Sequence, residues 1–526
     1  MSQEEMQDLC LKKNLLLDSS LFEIFSSFEN PSLVGLLLEK IRALCGRRFI
    51  TFSLLSENKE KIRKVIDEVY PEGEKGKKEI CEKLNFFSKR VSEKKREEEK
   101  EGSSVKVLSS FPVPGKKIEV KDFILYFRNR YKSIRGFLEN NSSLENPLSI
   151  NKIPDEKQKF SVIGIVSGKK VTKNKNVILE IEDLTGKMKV LISSGKEKLI
   201  KESEEIILDS VLGFKGVGNG EILFANEIIF PEANLYERKK SAVEEYALFI
   251  GDVHYGSKNF LEKDFLKFID YLNGKVENIP EVSKIKYLFI VGDLITGIGN
   301  YPNQEPDLKF SSLEEQFEGI ADLLKQIRKD IKIILSPGNH DCVRLMEPQP
   351  LLDERYAWPL YELENVIITG NPSLVKIGET KYFEGFKILT YHGFSFPYYA
   401  NTVPDLVSEK AMNHPEKIMK FLLKHRHLAP THASTQYFPL EKDALLIGEI
   451  PDIFVSGHTH KSGITHFNNI LLISVSSWEG LTAYQEKFGN KPDHCKVPML
   501  NLKTRQVKML DFETGDDGIK LYMEEE

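Results

Sequence analysis

Between Tyr246 and Ser477 six short apolar runs follow one another, and five of them stop abruptly at polar residues. The runs read "YALFIG", "KIKYLFIVG", "IKIILSPG", "FKILTYHG", "PDIFVSG" and "NILLISVSS". Nearly continuous apolar character over so few residues predicts strands covered on both faces. Helical patterns lie between the early runs. "LEKDFLKFIDYLNGK" ends near Gly274, and "SSLEEQFEGIADLLKQIRKD" opens with Ser312 and Glu315 at the spacing of a capping box. The pattern predicts a layered α/β domain with helices covering a central sheet. Ligand sites in such sheets gather at the carboxyl ends of the strands, so five polar ends can converge on one point.

The polar ends are chemically alike. "GDVHYGS" supplies Asp252 and His254, and "VGDLITG" supplies Asp293. "SPGNHDC" supplies Asn339, His340 and Asp341. "YHGFSF" supplies His392, and "SGHTH" supplies His458 and His460. Carboxylate, carboxamide oxygen and neutral imidazole together suit a pair of divalent cations, with Mn²⁺ favoured and Zn²⁺, Fe²⁺ or Mg²⁺ as alternatives. No thiolate joins them, which argues against a structural zinc site. In extended chain, residues i and i+2 share a side, so Asp252 and His254 can grip one ion together. All eleven histidines lie between His254 and His494. A lone histidine at a strand end is more often a satisfied polar residue than a ligand. The ordered series D-x-H, G-D, G-N-H-D, H-G, G-H-x-H carries the reading.

The rest of the chain divides by composition. At roughly 100–200 residues per domain, 526 residues predict about three or four domains. Residues 1–90 carry helical spacing, as in "DSSLFEIFSSF" and "NPSLVGLLLEKIRALCG", and are expected to form a small interaction module. A charged linker is expected over 91–119, centred on "RVSEKKREEEKEGSS". Residues 120–158 open with an amphipathic, aromatic-rich helix expected to pack as a brace. Residues 159–235 hold β-rich runs in the order three strands, a helix, two strands, the order of an OB-fold barrel. The α/β domain is placed at 246–512 and an acidic tail at 513–526. The net charge of −5 gives no global basic field. Five scattered cysteines without a CxxC pair predict reduced thiols. No apolar run approaches the ~18 residues of a membrane span, so a cytoplasmic location with no membrane partner is expected.

The ordered series resembles the calcineurin-like metallophosphoesterase superfamily over about residues 246–512. The resemblance implies a four-layer-type α/β domain and a two-cation site. One ion would lie on Asp252, His254, Asp293 and His460, the other on Asp293, Asn339, His392 and His458. It implies a water activated between them as the nucleophile, and His340 as the general acid that protonates the leaving oxygen. Asp341 would orient His340.

Within that superfamily, "VRLMEPQP" after the NHD and "GDLITGIGNYP" resemble the small subunit of the archaeal D-family DNA polymerase, and so does the domain order. That family implies a 3′–5′ exonuclease acting on the primer 3′ end of DNA. It also implies a heterodimer with a large catalytic subunit. Two departures stand out. Ile295, Thr296 and Gly297 replace the "DRG" common after the second motif, which counts against a protein phosphatase. Thr296 also stands where an acid is common in the small-subunit family. The rivals are a scaffold B-subunit, which keeps the fold and loses the ligands, and a double-strand-break repair nuclease. The filled ligand positions count against the first, and the barrel and "EPQP" against the second.

Other residues carry bland expectations beside sharper ones. His425, His427 and His432 in "KHRHLAPTHAS" are expected to be exposed or loop-packed, with DNA-phosphate contact at the site rim as the alternative. Tyr398, Tyr399 and Tyr437 are candidates for base stacking, with core packing at least as favoured. Cys342 is expected to be a buried small residue and not a nucleophile.

Overall fold

The computed structural model describes residues 3–28, 30–45, 49–50, 55, 59–69, 105–111, 117–144, 146–276, 279–487, 489, 491–513 and 520–523. It divides into two compact units, Met1–Ser103 and Ser104–Glu526. In the first, helices Gln3–Lys12, Ser19–Ser26, Pro31–Cys45 and Lys59–Val69 bury a core that includes Met6, Phe25, Leu37, Leu38, Ile41 and Ile66. A short parallel pairing of Leu16–Leu17 with Phe49–Ile50 joins them. The charged run before Ser104 lies outside the described residues.

The second unit begins with a departure from the expected linker. Residues Val105–Ser110 form a strand, β1. Helix Val120–Glu139 follows. Then come β2 (Gln158–Val171), β3 (Val177–Glu182), β4 (Lys187–Ile192), helix Glu197–Glu204, β5 (Val211–Gly218) and β6 (Ile222–Ile229). These five strands close into a barrel in the order β2-β3-β4-β6-β5. The β3–β4 turn is held by Asp183, whose Oδ1 accepts from the Thr185 and Gly186 amides at 2.7 and 2.9 Å.

The α/β domain is built on β7 (Tyr246–Ile250), β8 (Ile285–Val291), β9 (Lys332–Ser336), β10 (Val366–Ile368), β11 (Ser373–Ile377), β12 (Phe386–Thr390), β13 (Ile453–Ser456), β14 (Gly463–Phe467), β15 (Ile470–Ser474), β16 (Lys496–Asn501), β17 (Val507–Asp511) and β18 (Lys520–Met523). One seven-stranded sheet runs β10-β9-β8-β7-β16-β17-β18, and a six-stranded sheet runs β14-β15-β13-β12-β11-β1. The expected tail thus contributes a strand, β18, antiparallel to β17.

Side-chain alternation explains why there are two sheets in four layers. On β7, Ala247 and Phe249 face the second sheet, where they meet Ile388, Ile453 and Val455. Leu248 and Ile250 face outward onto the helices Glu262–Leu272 and Leu313–Lys325. In the second sheet Leu389 and Phe454 face helices Phe396–Thr402 and Pro415–His425. Every such strand is apolar on both faces because both faces are covered. Ser312 caps helix Leu313–Lys325, its Oγ accepting from the Glu315 amide. No helix among the described residues is long and apolar enough to cross a membrane.

The "KHRH" segment is absorbed by packing. His425 and His427 are buried, and Arg426 donates to the carbonyls of Ile447 and Gly448 at 2.8 and 2.7 Å while lying over the Phe137 ring. Only His432 of the three histidines is exposed. His425 stacks at 4.2 Å on Phe421, and burial pushes its imidazole down to about 4. The unfolded imidazole titrates near 6.5. As pH falls from about 6.5 to about 4, the unfolded chain takes up a proton that the folded chain refuses. Stability is therefore full above about 6.5 and is lost toward about 4, by roughly 3 kcal/mol from this residue. Urea unfolding of the wild type and His425→Phe at pH 7.5 and 4.5 checks this. The variant loses less stability on acidification, and an equal loss in both refutes the assignment.

Candidate metal centre

The polar residues sit at the carboxyl ends of five parallel-running strands. β7, β8 and β9 run parallel in one sheet, and β12 and β13 run parallel in the other. Their ends meet at the lip of the sandwich. Asp252 follows β7 and accepts the His458 amide on both carboxylate oxygens, at 3.1 and 3.0 Å. Asp293 follows β8 and accepts the His340 amide at 2.8 Å. The His254 amide donates to the Asp293 carbonyl at 3.0 Å.

These residues are held in an unusual backbone. Asp252, His254, Asp293, His458 and His460 all have positive φ, between 48° and 70°. Non-glycine residues enter this left-handed region at a cost of order 1–3 kcal/mol, and such residues cluster at functional sites. The turns also need close approach. A Cβ on Gly338 would overlap the Asp293 carboxylate, and one on Gly292, itself at φ 79°, would overlap the His392 ring.

The side chains form three interlocking groups. Asp252, His254 and His460 make one, His254, Asp293 and His340 the next, and Asp293, His392 and His458 the third. Within each, the ligating atoms lie within 4.8 Å of one another. Asp293 is common to two groups. Its Oδ2 lies 3.2 Å from His392 Nε2, 3.9 Å from His254 Nε2 and 4.0 Å from His340 Nε2. Asn339 Oδ1 stands 3.1 Å from His392 Nε2.

These contacts fit cations. His392 Nδ1 is 3.1 Å from the Val291 carbonyl, which only accepts, so that nitrogen carries the proton. Its Nε2 then turns a lone pair toward two acceptor oxygens. Gln485 Nε2 donates to His460 Nδ1 at 3.0 Å, so His460 Nε2 carries a proton toward His254 Nε2 at 3.1 Å, where a cation would replace it. Burial opposes charge on His392, but Asp293 outweighs it and pushes the imidazole up to about 10. A proton there occupies the place a metal ion would take. Burial, with His392 beside it, pushes His458 down to about 3. Burial and His340 hold His254 well below its ordinary range. Both are then in the neutral form that ligates metal. Burial alone would raise Asp293, but His392 and His340 outweigh it and hold the carboxyl well below the usual range.

His340 stands apart from the third group. Its Nδ1 lies 2.9 Å from the Thr296 carbonyl, leaving Nε2 toward the cavity. Asp341, expected to orient His340, makes no contact with the ring. Its carboxylate instead accepts the Ile295 and Gly338 amides at 3.0 and 2.8 Å, tying together the loops after β8 and β9. Burial and the nearby Asp293 push it up to about 7. The His340 Nδ1 partners are instead the Thr296 carbonyl and Asn300 Nδ2, the latter at 3.1 Å. Cys342, expected to be buried, is exposed, because the chain turns outward there at φ 55°.

A cavity of about 590 Å³ opens over the centre, lined by His254, Asp293, Asn339, His340, His458 and His460 together with Tyr301, Met412, Asn413, Lys461, Glu479 and Lys491. Of these, Met412, Asn413, Lys461, Glu479 and Lys491 escaped the sequence reading, because none stands in a spaced motif, and Tyr301 lies within "GDLITGIGNYP" without having been singled out. Tyr399 and Tyr437 are fully buried in the second core and line no part of this cavity. Tyr399 donates to Ser434 Oγ at 2.7 Å, and Tyr437 donates to the Ala429 carbonyl.

Comparison with known proteins agrees with this geometry. The family model for calcineurin-like phosphoesterases matches residues 247–462. The DNA polymerase II small subunit of Pyrococcus furiosus is 37% identical over 405 residues, covering 75% of this chain and 64% of that one. The protein of the same name from Methanothermobacter thermautotrophicus is 36% identical over 398 residues, covering 75% of this chain and 80% of that one. A third, from Methanocaldococcus jannaschii, is 37% identical over 394 residues and is covered to 64% of its length. The chain thus spans just under two thirds of the Pyrococcus and Methanocaldococcus proteins and four fifths of the Methanothermobacter one. It belongs to the DNA polymerase II small subunit family, and a calcineurin-like phosphoesterase domain carries its candidate centre.

Proposed function

We propose that this chain is a two-cation 3′–5′ DNA exonuclease that removes nucleotides from a primer end. In this reading it forms a heterodimer with the large catalytic subunit of an archaeal D-family polymerase. The observation that carries the reading is that all seven candidate ligands and His340 are chemically competent and cluster together, with five of the ligands and His340 lining one cavity and Asp252 and His392 packed directly against them. A scaffold needs no such set, and has no reason to bear five strained ligand backbones. Asp252, His254, Asp293 and His460 would hold one ion, and Asp293, Asn339, His392 and His458 the other, with Mn²⁺ the favoured metal. Bound there, the ions would supply positive charge for the phosphodiester and acidify a water. His340, held by the Thr296 carbonyl, keeps Nε2 facing the departing oxygen and gives it a proton. Lys461 and Lys491 at the rim add charge for neighbouring phosphates. The barrel's strand order, with its helix after the third strand, supports an OB-fold. The helical first unit is read as an interaction module.

The test is degradation of single-stranded and mismatched 3′ ends by the purified chain with Mn²⁺, alone and with a co-expressed large subunit. Calorimetry on the same samples follows metal binding. Free Mn²⁺ at 100 times its Kd adds about 2.7 kcal/mol of stability, read as a higher Tm than in chelator. Nuclease silence in both preparations, with no Mn²⁺-induced rise in Tm, favours the scaffold.

A further inference from the structure

The "VRLMEPQP" segment lies outside the candidate ligand set, yet it is built into the centre. Arg344 folds back on its own loop, donating to the Met346 and Pro348 carbonyls at 3.1 and 2.6 Å and covering the Phe438 ring. Glu347 is fully buried and accepts from Tyr391 Oη at 3.0 Å, one residue before His392. Gln349 is 1% exposed and reaches both ways. Its Nε2 approaches the Gly338 carbonyl at 3.4 Å, one residue before Asn339. Its Oε1 accepts from Asn371 Nδ2 at 2.7 Å. Asn371 is fully buried, and its Oδ1 accepts the His392 amide at 2.8 Å. The two backbones also pair, Gln349 to Asn371 at 2.7 Å and the reverse at 3.1 Å.

A continuous chain of carboxamides therefore runs from the Asn339 loop, through Gln349 and Asn371, to the His392 loop. These loops belong to different sheets, β9 in one and β12 in the other. Among the described residues no direct backbone bond spans the loops to set the 3.1 Å between Asn339 Oδ1 and His392 Nε2. We propose that Gln349 and Asn371 are positioning residues that set the spacing between Asn339 and His392, and so tune the affinity of one of the two cation sites and not the other. The proposal rests on the two-cation reading above. A carboxamide pair suits the task. Each amide both donates and accepts, so it transmits position in both directions without adding a charge that would compete for the ions.

The experiment is a two-site Mn²⁺ titration of the full-length chain by electron paramagnetic resonance and calorimetry. It compares the wild type with Gln349→Met, which keeps length and apolar volume, and with Asn371→Ala. In both variants one of the two affinities, the same one in each, falls 10–100-fold while the other stays within twofold of the wild type. The retained site reports that the variant is folded. Hydrogen exchange on the metal-free proteins speeds up in segments 338–340 and 391–393 only. Equal weakening of both sites, or no change in either, overturns the proposal. A wild type that binds no pair of ions overturns the two-cation reading itself.

Discussion

Under the proposed two-cation exonuclease reading, replacing His340 with alanine leaves Mn²⁺ binding at both sites nearly unchanged and lowers kcat by about 10²–10⁴-fold, the usual worth of a positioned general acid. Asn339→Ala does the reverse, weakening one ion first and losing turnover through that loss. The two residues are neighbours, and the structure separates them. Asn339 Oδ1 faces His392 Nε2, a member of the third group of ligating atoms, at 3.1 Å. The His340 ring instead turns onto the Thr296 carbonyl, 4.0 Å from Asp293 Oδ2, edge-on to His254 with centroids 4.8 Å apart. Direct titration of both variants, alongside single-turnover cleavage at saturating Mn²⁺, reads the two effects separately. Excess Mn²⁺ restores Asn339→Ala and leaves His340→Ala inactive. Equal metal loss in both variants removes the division of labour. Restoration of His340→Ala by metal would place His340 among the ligands.

The convergence of the strand ends was legible because two simple periods coincide there. Apolar runs covered on both faces announce parallel strands, and a glycine beside an acid or imidazole announces where each one stops. What the pattern could not announce was anything paired at long range. β1 lies beside a charged run, yet it pairs with β11 more than 260 residues later, with Val105 against Ile377 and Ser110 against Ser373. Its side chains are half polar, so no alternation marks it. Buried carboxamides were equally silent. Gln304 and Gln316 hold the 296–300 loop, with Gln304 Oε1 accepting the Asn300 amide and Gln316 Oε1 accepting the Gly297 amide, both at 2.9 Å. Glutamine is common on surfaces, and only its neighbours in space reveal the role. The same holds for Asp341. Its place beside His340 in the chain suggested a dyad, whereas its carboxylate is consumed by two backbone amides. "KHRH" left exposure and packing open, and only its neighbours in space choose between them: Asp443 waits inside for His427 at 2.8 Å, and Phe421 and Phe230 close over His425.

That Asp443 is also the anchor of the helix Val120–Glu139, and Arg130→Met is expected to cost about 3–5 kcal/mol, the toll of breaking one side of a buried pair. Both side chains are 1% exposed, with Arg130 Nε 2.7 Å from Asp443 Oδ2. Tyr126 donates to Asp443 Oδ1 at 2.5 Å, and Arg130 Nη1 donates to the Pro430 carbonyl at 2.7 Å. Burial alone would push the Asp443 carboxyl up. Arg130 and then His427 outweigh it and hold the carboxyl below its usual range. A depressed carboxylate contributes its stability above the unfolded value of about 3.9 and loses it as pH falls further, so the pair acts in full at pH 7. Removing Arg130 strands a buried anion. Asp443→Asn in the same chain removes that anion, so the double variant recovers part of the loss. Urea unfolding at pH 7 of the wild type, both single variants and the double variant measures the coupling. A single variant as stable as the wild type would show that the pair carries no net stability. The same helix packs on the barrel through Tyr131, Ile134 and Leu138, against Ile163, Val211 and Ile229. Loss of the anchor therefore loosens the joint between barrel and phosphoesterase domain. None of these residues lines the cavity over the metal centre. Under the proposed exonuclease reading, Arg130→Met well below its lowered melting point cleaves 3′ ends at close to the wild-type rate, whereas His340→Ala, stable as the wild type, does not.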